Sequence, residues 1–169
     1  MGYPDSHVPG FEGCALPSAL EAMGEKWSFL ILRGALNGMQ HFEEFQQGLG
    51  IARNILANRL ARLVEKGIMD RRTLEQDRRK VSYTLTQKGQ ELLPVMLSLR
   101  QWGEKWGMGV PSNPVLCDKR DRKPIQPIAI HAHDGRELGL KDLCWIDTSV
   151  EGAGDKDDGG EGRVRALAG

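Results

Sequence analysis

Asn54, Asn58 and Arg62 recur every four residues, with Arg53 just ahead of them and Arg59 beside Asn58. Asparagine amides and arginine guanidiniums carry paired hydrogen-bonding groups that fit the edges of adenine and guanine in a major groove. Further on come Arg71, Arg72, Arg78, Arg79 and Lys80, cations suited to phosphate. Residues 51–84 hold nine Lys or Arg against four Asp or Glu, a net of plus five, while the whole chain is formally neutral. The remainder therefore carries minus five, and positive charge is concentrated where a polyanion would lie. This is the chemistry of binding, not of bond making. There is no phosphate-binding glycine motif, no His-Glu-x-x-His and no Gly-x-Ser-x-Gly. His41 reads as a helix-start residue that can touch a phosphate, not as a base. No enzymatic activity and no cofactor is expected.

These side chains need elements to hold them. Residues 53–66 have helical periodicity, with Leu56, Leu60, Leu63 and Val64 on one face, Ala57 extending it, and the Asn/Arg stripe opposite. Gly67 is the stop signal. Phe42, Phe45 and Leu49 predict a short helix before it, with Gly48 and Gly50 loosening the connection. Two short helices joined by a glycine-containing turn are the layout of a helix-turn-helix. After them, Ile68 to Leu74 and the alternating Val81, Tyr83 and Leu85 predict two strands, with Arg78, Arg79 and Lys80 in the loop between. Met39 to His41 can add a third short strand. The expected fold is mainly α with a small β wing: a winged helix-turn-helix.

The sequence resembles the HxlR family of bacterial winged-helix regulators. The resemblance rests on Cys14-Ala-Leu-Pro17, Gly24-Glu-Lys26-Trp27, Leu30-Ile-Leu32-Arg33, Phe42-Glu-Glu-Phe45 and Ile51-Ala-Arg53-Asn54-Ile-Leu56. Arg59-Leu60-Ala-Arg62-Leu63, Val81-Ser-Tyr83-Thr-Leu85-Thr86-Gln-Lys88-Gly89 and Trp102-Gly103 continue it, so it spans Cys14 to Gly107. Ala52 departs from the family's frequent Ser-Pro pair before the arginine. The resemblance implies a homodimeric transcription regulator without an enzymatic site, dimerising through its first and last helices. In redox- and electrophile-responsive relatives a cysteine matching Cys14 is the sensor, and a thiol near a helix N-terminus can be activated. An unreactive, half-buried Cys14 is the competing reading.

Residues 1–13 read as a flexible arm and residues 14–107 as the DNA-binding and dimerisation domain. Pro17 is suited to a helix start, with Leu16, Leu20 and Met23 on the apolar face and Gly24 as the end. Trp27 to Leu36 is the next helix, closed by Asn37-Gly38. Thr86 is placed to cap a long helix from Gln87 to about Trp106, bent by Pro94. Leu92, Val95, Met96, Leu99, Trp102 and Trp106 mark its apolar seam, read as the dimer interface. No apolar run reaches the length of a membrane span and no secretory signal is visible, so a cytoplasmic protein is expected. The 3 cysteines suit a reducing compartment.

Gly107 to Asn113 reads as a linker, 115–146 as a small β-rich appendage, and 147–169 as a disordered, acidic, Gly-rich tail. Cys117, His131, His133 and Asp134 have donors for a mixed zinc site, but a metal-free hairpin is the preferred reading; Cys144 is expected to pack within the appendage. The partners expected are double-stranded DNA with an inverted-repeat site, a second copy of the chain, and an oxidant or small-molecule inducer, with no membrane. The alternative is a winged-helix protein-interaction module that does not bind DNA, which would favour acidic or apolar groups on the outward stripe.

Overall fold

The computed structural model describes residues 14–74, 77–107, 113–146 and 164–166. The proposed arm at 1–13 and most of the linker and tail lie outside these. The chain divides after Ser112 into two units.

The first unit begins with α1 (Leu16–Met23), with Pro17 in its first turn, where a missing N–H costs nothing. Gly24, at φ 77°, closes it by donating its N–H to the Leu20 carbonyl at 2.7 Å. Helix α2 (Lys26–Leu36), α3 (Phe42–Leu49) and α4 (Arg53–Glu65) follow, then the strands β1 (Met69–Leu74) and β2 (Asp77–Leu85). Met23, Ile31, Leu32, Phe45, Ile51, Leu56, Leu60, Leu63, Ile68 and Met69 form one buried cluster, so the core sits among α2, α3, α4 and the base of β1. The expected third strand is a single bridge: His41 pairs with Ser82, and the Tyr83 N–H donates to the Gln40 carbonyl at 2.7 Å.

The expected long helix from Gln87 is instead two, α5 (Gln87–Gln90) and α6 (Leu93–Trp106), separated by Glu91 and Leu92. Pro94 is the reason. It lies in the first turn of α6 rather than in a helix interior, so the chain stops and restarts instead of bending. Thr86 does cap α5: its Oγ1 accepts the Gly89 N–H at 3.1 Å and donates to the Gly67 carbonyl at 2.7 Å. That bond ties the end of the α4 turn to the start of the C-terminal helices.

In the second unit β3 (Ile130–His131) pairs with β4 (Glu137–Leu138) around a turn at 132–136. A bridge joins Cys117 to Pro124, and β5 (Cys144–Ile146) pairs with β6 (Val164–Ala166). The last pairing gives residues 164–166, inside the stretch expected to be disordered, a strand partner; the rest of that stretch lies outside the described residues. The Gly/Asp composition of 147–169 hid a short run with strand-forming Val164 that finds a partner in β5. Cys144 is exposed, not packed.

A Cβ added at Gly89 would stand 2.2 Å from the Ile68 carbonyl oxygen, a backbone atom at the entrance to β1. Gly89→Ala therefore forces α5 away from the strand. Urea unfolding should show a loss of about 1–3 kcal/mol; an unchanged midpoint would mean that this close approach is not held in solution.

Candidate nucleic-acid interface

Helix α4 buries Leu56, Leu60 and Leu63 completely, and this sets the angle of every other side chain on it. Asn54 and Asn58 are exposed on the far side, together with Ala57, Ala61 and Glu65. Ala57 thus leaves the apolar stripe where the sequence put it. Ala57, Ala61 and Glu65 complete a face that the polar pattern marks only at Asn54 and Asn58. Stepping about 100° per residue from Asn54 brings all three onto it. The small side chains of Ala57 and Ala61 let a second surface approach the helix closely. Arg53 is exposed at the start of α4, its guanidinium 5.0 Å from the centre of the Phe42 ring on α3. Ala52 at the N-cap supplies no side-chain acceptor, so the first-turn N–H groups of α4 have none from the cap.

Arg59 and Arg62 are not on this open face. Arg59 meets the Glu25 carboxylate at 2.7 Å, and Arg62 donates to the Glu21 backbone carbonyl at the end of α1. The Nε atoms of both are buried without a partner. The four-residue spacing misleads because each such step overshoots a helical turn by about 40°, so Arg62 stands about 80° from Asn54 and Arg59 about 140°.

The wing is a two-stranded antiparallel ribbon in which Arg71 pairs with Tyr83 and Arg72 with Ser82. Thr73 pairs with Val81 but Leu74 with Asp77. Arg78, Arg79 and Lys80 therefore lie within strand β2, at a bulge, rather than in the expected loop. Strand pairing uses only backbone groups, so a run of cations does not prevent it. A bulge turns the strand and re-aims its side chains. The side chains of Arg71, Arg72 and Lys80 are exposed, with Arg72 3.6 Å from Asp70; those of Arg78 and Arg79 lie outside the description.

His41 joins the wing to α3. Its Nδ1–H donates to the Val81 carbonyl at 3.0 Å, while it stands at the N-cap of α3. Glu44, in the first turn, accepts the N–H groups of Gln40 at 2.7 Å and His41 at 3.0 Å. Of the expected seam, Leu92 and Met96 pack against the domain's own core. Leu99, Trp102 and Trp106 are 54%, 62% and 67% exposed, as are Leu16 and Leu20 on α1 at 55% and 57%. Cys14 is exposed two residues before α1. Cys117, His131, His133 and Asp134 are not assembled into a metal-holding group, and none exists among the described residues. No helix among them is long and apolar enough to cross a membrane.

A helix with open amides, a short helix before it and a basic ribbon after it define a winged helix-turn-helix transcriptional regulator. A family model described as HxlR-like helix-turn-helix matches residues 22–110, and the chain belongs to that family. It is 41% identical over 135 residues to Rv3095 of Mycobacterium tuberculosis, an uncharacterised HTH-type transcriptional regulator, covering 79% of this chain and 85% of that protein. The crystal structure of PA1607, provisionally assigned as a transcription factor, is 37% identical with a TM-score of 0.72, covering 78% of this chain and 92% of that one. The redox regulator HypR in its reduced form is 31% identical with a TM-score of 0.50, covering 53% of this chain and 90% of that one.

The Glu44 carboxyl is held below the usual glutamate range, chiefly by the Gln40 N–H and then by that of His41. A group with a lowered folded-state pKa stabilises above its unfolded value, and that contribution is lost as the pH falls through the folded one. Wild type should show a higher urea midpoint than Glu44→Gln at neutral pH, and the gap should close in acid. A gap independent of pH would exclude the carboxylate as its source.

Proposed function

We propose that the chain is a dimeric, sequence-specific DNA-binding regulator whose α4 enters the major groove. The observation that carries this reading is the open face of Asn54 and Asn58, left uncovered on a helix whose other side is sealed in the core. The amides read adenine edges, Ala57 and Ala61 allow close contact, and Arg53 reaches a base or a phosphate beside them. Arg71, Arg72, Arg78, Arg79 and Lys80 on the wing bind the backbone. A protein-interaction module would place mainly apolar or acidic groups on this face; Ala57, Ala61 and Glu65 do share it, but the two amides, exposed Arg53 beside them and the exposed cations Arg71, Arg72 and Lys80 on the ribbon favour DNA.

The dimer joins α1 and α6 of two copies. Trp102 and Trp106, each more than 60% exposed, form an apolar patch that a second copy would remove from water. Covering both would contribute about 5 kcal/mol or more per protomer, at 25 cal/mol per Å² and about 150–250 Å² per aromatic side chain. Two protomers roughly double that, which meets an association cost of about 4–15 kcal/mol. A twofold dimer reads an inverted repeat with half-sites about one helical turn apart.

Regulation through Cys14 is the finer part of the reading. The thiol is exposed, it precedes the helix assigned to the dimer seam, and the structural relative HypR is a redox regulator. Oxidation or alkylation there shifts the seam and with it the two copies of α4.

Anisotropy titration of full-length protein with genomic fragments tests the DNA reading. Arg78→Glu with Arg79→Glu should weaken binding to every sequence and flatten the dependence on salt. Asn58→Ala should relax preference at one base position, by about 1–3 kcal/mol if a bidentate contact is lost. Equal losses on specific and random DNA would exclude base reading by Asn58, and an unchanged salt slope would remove the wing from the interface. Release of DNA by a thiol oxidant should disappear in Cys14→Ser; an undiminished response in that variant would eliminate the sensor.

A further inference from the structure

We infer that Arg59 and Arg62 are positioning residues that clamp α1 to α4, and that this clamp sets the half-site spacing the protein accepts. The inference rests on the DNA-binding dimer proposed above.

The last carbonyls of a helix have no intrahelical partner, and positive charge there is favourable. Helix α1 has no basic residue in its own last turn. The cation comes from α4 instead: the Arg62 guanidinium donates to the Glu21 carbonyl. One turn earlier on α4, Arg59 holds the carboxylate of Glu25, the residue at the N-cap of α2, at 2.7 Å. The two arginines thus grip both sides of the turn at Gly24, which has φ 77° and an exposed surface. The Nε atoms of both are closed off from water without a hydrogen bond. An arginine kept for DNA alone could leave its whole guanidinium solvated. Here the stem is packed and only the terminal nitrogens find partners, as a strut requires.

Helix α1 has little else to fix its direction. Ala22 and Met23, at its C-terminal end, are its buried residues, while Leu16 and Leu20 are more than half exposed. Helix α4, by contrast, is locked by Leu56, Leu60 and Leu63. When α1 carries the dimer seam, its angle to α4 decides where the partner's α4 stands. The 8 residues of α1 span about 12 Å, so a tilt of about 10° at Gly24 moves the far end by about 2 Å. Across two protomers that is about 4 Å, enough to span the rise of one base pair, about 3.4 Å.

The test uses full-length wild type, Glu25→Ala, the milder Glu25→Gln, and Arg62→Met, which keeps the stem without the guanidinium. Each is titrated against inverted repeats whose central spacer changes by single base pairs. Amide hydrogen exchange of residues 16–23 is measured without DNA. The clamp predicts faster exchange in α1 for Glu25→Ala and Arg62→Met, with α4 unaffected. It also predicts that the affinity ratio between the best spacer and its neighbours falls by about threefold or more, with base preferences within the half-site retained. Unchanged α1 exchange overturns the proposal. So does an unchanged spacer profile accompanied only by a lower Tm, which would make the contacts merely structural. Relaxed preference at one base in Arg62→Met, with the spacer profile intact, overturns it in favour of base reading. A wild type that binds single and paired half-sites equally well overturns the dimer reading itself, and the clamp's role in spacing with it.

Discussion

The burial of Leu56, Leu60 and Leu63 fixes how α4 is turned in the domain. With 3.6 residues per turn, fixing three side chains in a core fixes the direction of all the others on the helix. Asn54, Ala57, Asn58 and Ala61 then have nowhere to go but outward, and Arg59 and Arg62 are carried round to the flank where the α1–α2 turn lies. The amides on the open face and the two arginine contacts on the flank are thus two consequences of one packing decision. The close approaches around α4 serve the same end, since the Thr86 hydroxyl and Gly89 hold α5 against the segment that leaves α4 for β1.

Charge is distributed in keeping with this geometry. The region that includes α4 and the wing carries a net plus five in a chain that is neutral as a whole. Within the region the cations divide. Arg59 is neutralised by Glu25 and Arg62 is spent on a backbone carbonyl, while exposed Arg71 and Lys80 on the wing have no such partner among the interactions described. Net charge alone therefore overstates what α4 can offer a phosphate backbone, and the open cations are those of the ribbon. A second separation falls within α6. Leu92 and Met96 near its start belong to the core, and the same stripe continues as Leu99, Trp102 and Trp106, which the core does not cover. This uncovered stripe is the surface on which the proposed dimer rests.

The helix-turn-helix and the ribbon were legible because periodicity and turn residues are local signals, and Gly24, Gly67, Thr86 and the alternation of Val81, Tyr83 and Leu85 each act within a few residues. The direction of Arg59 and Arg62 was not legible. It depends on Glu21 and Glu25, which are distant in sequence, and four-residue spacing hides the drift around the helix. Pro94 was recognised as a disruption but could equally bend or restart a helix, and Leu93 in the preceding position leaves the choice to packing. Arg78 to Lys80 looked like a loop because a bulge carries no compositional mark. Strand β6 was hidden for a related reason, since a strand of 3 residues is defined by its partner β5 and not by its own sequence.

Whether the Asn54–Asn58 face lies in a major groove of DNA can be read by dimethyl sulfate interference on a bound genomic fragment, because this reagent methylates guanine N7 in the major groove and adenine N3 in the minor groove. N7 methylation should block binding in two patches related by a twofold axis and about one helical turn apart. Interference confined to adenine N3, or a single unpaired N7 patch, would rule out this docking.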